Sequence, residues 1–138
     1  MGEVPPLTKL YREYRTANFQ FFIVYVREAH PGENYPHHTS LEQKLAHART
    51  LRDLEEIQEI PILVDDFAGT MHRAYGLLPN MTYLIDRDGI VVYKSDWGDA
   101  QELDGVCASL VRVDEMKANN VPIIRQGISK RIHWISMD

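Results

Sequence analysis

One apolar stretch, residues 19–26, constrains the fold of this chain more than any other feature. It is apolar throughout except for Gln20 and is rich in aromatic and β-branched side chains, and it is too short for a typical buried helix. The stretch therefore predicts a buried parallel strand over Phe19–Val26. Charged and turn-forming residues follow at once, in the order Arg27-Glu28-Ala29-His30-Pro31-Gly32. Because α/β proteins usually place their chemistry at the carboxyl ends of parallel strands, we expect a functional site there.

Most of the remaining secondary structure follows from helical spacing, caps and turn residues. Pro5-Pro6 starts a helix that we expect to end near Thr16, and the capping-box pair Ser40 and Gln43 starts a longer helix. The Asp88-Gly89 pair predicts a tight hairpin. The segments that complete the expected order are a strand over Ile60–Val64, a short helix over Thr70–Tyr75, hairpin strands over Thr82–Ile85 and Ile90–Tyr93, and a closing helix from Leu103 to Met116.

This order of elements predicts an α/β domain. It resembles a thioredoxin-like three-layer α/β/α sandwich with a mixed sheet from which the first core strand is missing. In that plan the missing strand lies between Phe19–Val26 and the hairpin, so we expect a gap in the sheet with unpaired backbone donors and acceptors on both sides. We expect residues 1–118 to form this domain and residues 119–138 to form a C-terminal extension.

The extension contains a strand-like segment, residues 128–136, in which Ile132, Trp134 and Ser136 alternate with His133 and Ile135. An open sheet edge invites the addition of a strand. We therefore expect this segment to fill the gap, either in its own sheet or in the sheet of a partner chain. We favour the second alternative, a homodimer, because sheet edges pair readily between identical chains.

Composition excludes several classes of partner. The chain has 138 residues, enough for one domain with a core of its own. With 15 lysines and arginines against 20 aspartates and glutamates, it has no basic field for nucleic acid. The first twenty residues contain no apolar signal region, and no run is long enough to span a bilayer, so we expect no membrane contact. A single cysteine fits a reducing, cytoplasmic setting.

Several motifs, in the same order along the chain, resemble those of the iodothyronine-deiodinase-like branch of the thioredoxin-fold superfamily, a relative of the peroxiredoxin-like redoxins. The resemblance covers roughly residues 5–110 and implies a thiol- or selenol-dependent oxidoreductase. The motifs that carry it are Val24-Tyr25-Val26-Arg27-Glu28-Ala29-His30-Pro31, Ser40-Leu41-Glu42, Val64-Asp65-Asp66, Ala74-Tyr75-Gly76, Pro79 and Tyr83-Leu84-Ile85-Asp86-Arg87-Asp88-Gly89.

The resemblance implies catalytic roles for Glu28 and His30 and a position near the substrate for His38. It also implies a pocket formed by Tyr25, Pro31 and Pro79. The nucleophile of the family, a selenocysteine or cysteine at the start of the first helix, has no counterpart in the 138 residues. One alignment puts Val4 in its place, and another puts it just upstream of Met1.

The spacing of Glu28 and His30 supports a shared role independently of the resemblance. Residues two positions apart face the same side of an extended strand, and a carboxylate there can orient an imidazole for proton transfer. The structural alternative is that Glu28 accepts backbone N–H bonds in the loop while His30 only ends the strand before Pro31. Both interpretations stay open at this point.

The other polar candidates are expected to be structural. Cys107 lies on the apolar stripe of the closing helix, where a free thiol behaves as a small buried hydrophobe. Adjacent His37 and His38 match no known metal-ligand spacing, so no metal and no cofactor is predicted. His47 and His72 are expected to be exposed helix residues. The remaining acidic candidates, expected to cap backbone groups, are Asp65, Asp66, Asp86 and Asp88.

Three interpretations of the function follow from this sequence. In the first interpretation the chain is a thioredoxin-fold protein related to thiol oxidoreductases, but catalytically inactive as given because it carries no nucleophile. In the alternatives it is part of a longer, active thiol or selenol oxidoreductase, or a module for binding or self-association.

Overall fold

A computed structural model describes residues 4–124 of the chain. Helices and short strands alternate along this part, which confirms a mixed α/β architecture. The elements are α1 (Val4–Tyr14), a 3₁₀ helix (Arg15–Ala17), β1 (Ile23–Tyr25), α2 (Leu41–Leu54), β2 (Ile62–Val64), α3 (Thr70–Tyr75), β3 (Thr82–Ile85), β4 (Val91–Ser95) and α4 (Ala100–Ala118).

The strands form two separate pairs within the described residues. Strands β1 and β2 are parallel, with Tyr25 opposite Val64, whereas β3 and β4 form the expected antiparallel hairpin. Gly89 adopts the left-handed conformation in the hairpin turn, with a φ of 79°, which a glycine accepts without steric cost. Strand β1 is shorter than the predicted Phe19–Val26, because its partner β2 offers only three residues for pairing.

A large cleft separates the two strand pairs. It has a volume of about 1290 Å³ and is lined by residues 19–24 on one side and by residues 82–85 of the hairpin on the other. Leu103, Cys107 and Leu110 of α4 line it as well. The described chain also ends there, since Ile123 and Ile124 belong to the lining. The segment 128–136, expected to fill a gap in the sheet, lies outside the described residues.

The core joins α1, the hairpin and α4. Leu10 and Tyr14 of α1 pack in one buried cluster with Leu84, Leu103 and Cys107. The side chain of Cys107 is 1% exposed, which confirms the prediction of a buried thiol. Desolvation in this apolar setting raises the pKa of Cys107 to about 11, and the nearby charge of Asp104 adds to the effect.

The predicted helix caps are present. The Ser40 hydroxyl accepts the backbone N–H of Gln43 at 3.1 Å at the start of α2. The Asp65 carboxylate accepts the N–H groups of Asp66, Met71 and His72 at 2.9–3.0 Å and so ties the end of β2 to α3. Burial raises the pKa of Asp65, but these bonds and the charge of Lys44 outweigh it and hold the pKa below its ordinary value.

None of the helices in residues 4–124 has the length and apolar character needed to cross a bilayer.

Candidate functional site

A small pocket lies just beyond the carboxyl end of β1. It has a volume of about 290 Å³ and brings together four of the residues singled out in the sequence: Glu28, His30, Pro31 and Pro79. The first three follow β1 directly, while Pro79 comes from the loop between α3 and β3. The chain turns after Pro31, where the Gly32 N–H donates to the Tyr35 carbonyl at 3.1 Å, and both residues disfavour a continued strand. The polar strand end and a distant loop thus form one site.

Two aromatic side chains approach the Glu28 carboxylate. The Tyr25 hydroxyl donates a hydrogen bond to Glu28 Oε1, and Nδ1 of His47 on α2 lies 3.5 Å from the same oxygen. Glu28 is only 20% exposed at its side chain. Tyr25, expected to line the pocket, is itself buried and contributes through this bond. The pocket therefore presents a carboxylate whose orientation is fixed by its neighbours.

His30 is exposed at the rim of the same pocket. The contacts of the Glu28 carboxylate go to Tyr25 and His47 rather than to His30. An exposed imidazole beside a carboxylate can donate and accept a proton. The two groups share a pocket, and their catalytic role stays a prediction.

His38 lies in a different environment from His30. Its ring packs edge-on against Phe67, with ring centroids 5.8 Å apart, and its Nδ1 is buried without a hydrogen-bond partner among the described residues. Burial lowers the pKa of His38, and the positive charge of Lys44 lowers it further. Both effects favour the neutral form of the His38 imidazole. The pocket that contains Glu28 is lined by the neighbouring His37 instead.

A lysine of α2 is buried close enough to His38 for its charge to act on that imidazole. Lys44 is 1% exposed, and its Nζ donates a hydrogen bond to the backbone carbonyl of Asp66 at 2.8 Å. Desolvation lowers the pKa of Lys44, while the charges of Asp65 and Asp66 oppose this effect. The amphipathic pattern of α2 gave no signal that a lysine would point inward, because lysine is almost never fully buried unless it is paired.

Two histidines expected to be exposed are not. His72 is 7% exposed, with its Nε2 3.1 Å from the carbonyl of Leu78, and the side chain of His47 is 12% exposed. His47 follows the buried Lys44 by three positions, so the two lie on one face of α2. Among residues 4–124, no three histidine, cysteine, aspartate or glutamate side chains converge in an arrangement that could hold a metal ion.

Comparisons with known proteins identify the relatives of this chain. The family model described as iodothyronine deiodinase matches residues 1–114. The thyroxine 5-deiodinase of Bos taurus is 27% identical over 125 residues, which cover 83% of this chain and 40% of that protein. The type I iodothyronine deiodinase of Xenopus laevis is 29% identical over 98 residues, or 65% of this chain and 37% of that protein.

The chain thus spans about two fifths of the length of the curated relatives it matches. The family match covers most of the 138 residues, including β1, the pocket beyond it and most of α4. The chain belongs to the iodothyronine deiodinase family.

Proposed function

We propose that this chain is a thioredoxin-like scaffold, without the first core strand, that carries the acid/base residues of a thiol- or selenol-dependent oxidoreductase but not its nucleophile. The observation that supports the proposal is the pocket beyond β1, in which Glu28 is held by Tyr25 beside the exposed His30. The names of the relatives refer to deiodinases and, for several, to thyroxine. An iodothyronine is therefore the first substrate to test.

The proposed chemistry needs a proton at the reacting centre. When a thiolate or selenolate takes iodine from a ring carbon as I⁺, the electron pair of the C–I bond stays on that carbon, which must gain a proton. His30 is the exposed group that delivers this proton, with the Glu28 carboxylate as the second acid/base group of the pocket. A dithiol then reduces the S–I or Se–I bond and releases iodide. The nucleophile belongs at the N-terminus of α1, which begins at Val4. The positive end of the helix dipole favours a thiolate or selenolate there.

The only thiol of the 138 residues is unsuited to this task. Cys107 is 1% exposed, lies inside α4, and has a pKa of about 11. A thiolate is the reactive form, and this site disfavours it. We propose that the chain, as given, has no thiol-dependent turnover and works in a reducing, cytoplasmic setting.

Adding the missing nucleophile tests this function. The wild-type chain and its Cys107→Ser variant are assayed for iodide release from thyroxine and for peroxide consumption, with dithiothreitol as the reductant. We expect wild type and Cys107→Ser to give no more iodide release or peroxide consumption than dithiothreitol alone. Val4→Cys should exceed that background rate in at least one of the two assays. Wild-type turnover that Cys107→Ser abolishes would overturn the proposed inactivity, and an inert Val4→Cys thiol would overturn the proposed place of the nucleophile.

The cleft between the two strand pairs favours a second candidate function, self-association. The edges of β1 and β3 that face it are unpaired within the described residues, and such edges accept an added strand. Ile123 and Ile124, the last two of the described residues, line the cleft. We propose that residues 128–136 of a second copy occupy the cleft and make a homodimer.

Truncation tests this candidate. Deleting residues 125–138 should convert a dimer into a monomer on a sizing column and lower the midpoint of urea unfolding. A matched control exchanges Ile132 and Trp134 for serine in the full chain, which removes the apolar side chains but keeps the length. A wild-type chain that elutes as a monomer, or a dimer that survives the truncation, would refute the proposed exchange.

A further inference from the structure

We propose that His47 is a positioning residue that holds the Glu28 carboxylate by donating a hydrogen bond from Nδ1. The proposal rests on the proposed function insofar as Glu28 takes part in acid/base chemistry there. The contact itself can be measured in the wild-type chain without any turnover.

The geometry of His47 points to Glu28 as its partner. Nδ1 lies 3.5 Å from Glu28 Oε1 and is buried without a hydrogen-bond partner among the described residues. A buried polar atom without a partner costs stability, and most such atoms in proteins have one. A movement of about half an ångström brings this pair within normal hydrogen-bond distance.

The surroundings of His47 restrict its ring to this position. Helix α2 begins at a fixed point because the Ser40 hydroxyl caps it. Lys44 and Ala48 of the same helix are buried, so His47 lies at the edge of the buried face. From the loop before α2, the ring of Tyr35 packs edge-on against the imidazole, with centroids 5.9 Å apart. The imidazole is therefore held next to Glu28.

The two contacts leave one carboxylate oxygen for the pocket. Both the Tyr25 hydroxyl and His47 Nδ1 approach Oε1 of Glu28, whereas Oε2 makes no hydrogen bond to any residue in the range 4–124. Two partners on one oxygen fix the rotation of the carboxylate. His47 therefore determines how the second oxygen of Glu28 meets a bound substrate or His30.

Imidazole nitrogen NMR of the wild-type chain tests the proposal. In spectra recorded at about pH 8, we expect the neutral imidazole of His47 to carry its proton on Nδ1. Glu28→Ala should abolish this tautomer signal. His72 is an internal control, because its Nε2 faces the Leu78 carbonyl and should carry the proton there. A His47 proton on Nε2 in the wild type would overturn the proposal.

Substitutions at His47 separate positioning from simple packing. The carboxylate carbon resonance of Glu28 should shift in His47→Ala and return towards its wild-type position in His47→Asn, whose amide N–H can replace Nδ1–H. His37→Ala is the matched control, because His37 lines the same pocket without contacting Glu28. The proposal would be refuted if His47→Ala left the Glu28 resonance unshifted, or if His37→Ala shifted it as much as His47→Ala does. Neither NMR measurement depends on a nucleophile. The contact between His47 and Glu28 can therefore be refuted while Val4→Cys is active, and it can be confirmed while Val4→Cys is inactive.

Discussion

Cys107 should be nearly inert towards alkylating reagents in the native chain. Its pKa is raised from 9.0 to about 11, so the thiolate population at about pH 7 falls from about one molecule in 10² to about one in 10⁴. Only 1% of the residue is exposed, which slows the reaction further. We expect the rate with iodoacetamide, followed by intact-mass spectrometry, to be at least about 100-fold lower in buffer than in concentrated urea.

A matched thiol on the same helix provides the control. Ser109 is exposed on α4, so a Cys107→Ser, Ser109→Cys chain carries one accessible thiol two positions further along. This variant should react at nearly the same rate in buffer and in urea. The account of Cys107 as a buried structural thiol is refuted if native Cys107 reacts within about tenfold of the Ser109→Cys thiol.

The same pKa shift predicts an alkaline loss of stability. Folding raises the pKa of Cys107, so its contribution to the free energy of unfolding is complete below pH 9.0 and disappears as the pH rises towards about 11. Two pH units correspond to at most about 3 kcal/mol. The pKa of Tyr14 is also raised, through its hydrogen bond to Asp104. Because wild type and Cys107→Ala both contain Tyr14, its contribution cancels when the two chains are compared. The free energies of unfolding of the two chains, measured by urea titration, should therefore converge at high pH. A difference between them that does not change with pH would contradict the prediction.

Three further substitutions test the local structure. Ser40→Ala removes the cap of α2 and should lower the free energy of unfolding in urea by about 1 kcal/mol; no change would mean that the cap is not formed. Asp65→Asn weakens three backbone contacts and should cost about 1–3 kcal/mol at neutral pH. Because the pKa of Asp65 is lowered from 3.8, the difference in stability between wild type and Asp65→Asn should shrink as the pH falls below that value. A difference that grows at low pH would refute this explanation. Gly89→Ala, at a φ of 79°, should lower the free energy of unfolding, measured by thermal melting, by about 1–2 kcal/mol. Gly32→Ala, where an added Cβ meets open space, should not lower it.

Features determined by neighbouring residues could be predicted from the sequence. The sequence predicts a short helix over Thr70–Tyr75 that Gly76 closes, and α3 has the same bounds. The hairpin follows from the Asp88-Gly89 turn, and the burial of Cys107 from helical spacing. In each case the physical cause acts over a few residues, so a short stretch of sequence contains it.

Features determined by distant contacts could not be predicted. The length of β1 depends on how many residues β2 offers, and neither segment contains that information alone. The burial of Lys44 and His47 depends on how α2 meets the strand end and the loops around it. The Glu28 pocket needs Pro79, some fifty residues further along the chain. Glu28, His30 and Pro79 were expected there together only from a resemblance, and His47 was missed because a histidine on a polar-looking helix gives no sign of its partner.

The most direct test of the central claim is the rate of iodide release from thyroxine by Val4→Cys, compared with the same chain carrying Glu28→Gln. General acid/base groups typically contribute about 10²–10⁴ in rate, so Glu28→Gln should reduce the rate by at least about 100-fold. Glu33→Gln, at an exposed loop position, should leave it unchanged. Equal rates for Val4→Cys with and without Glu28→Gln would contradict the claim that this pocket carries the acid/base chemistry of the family.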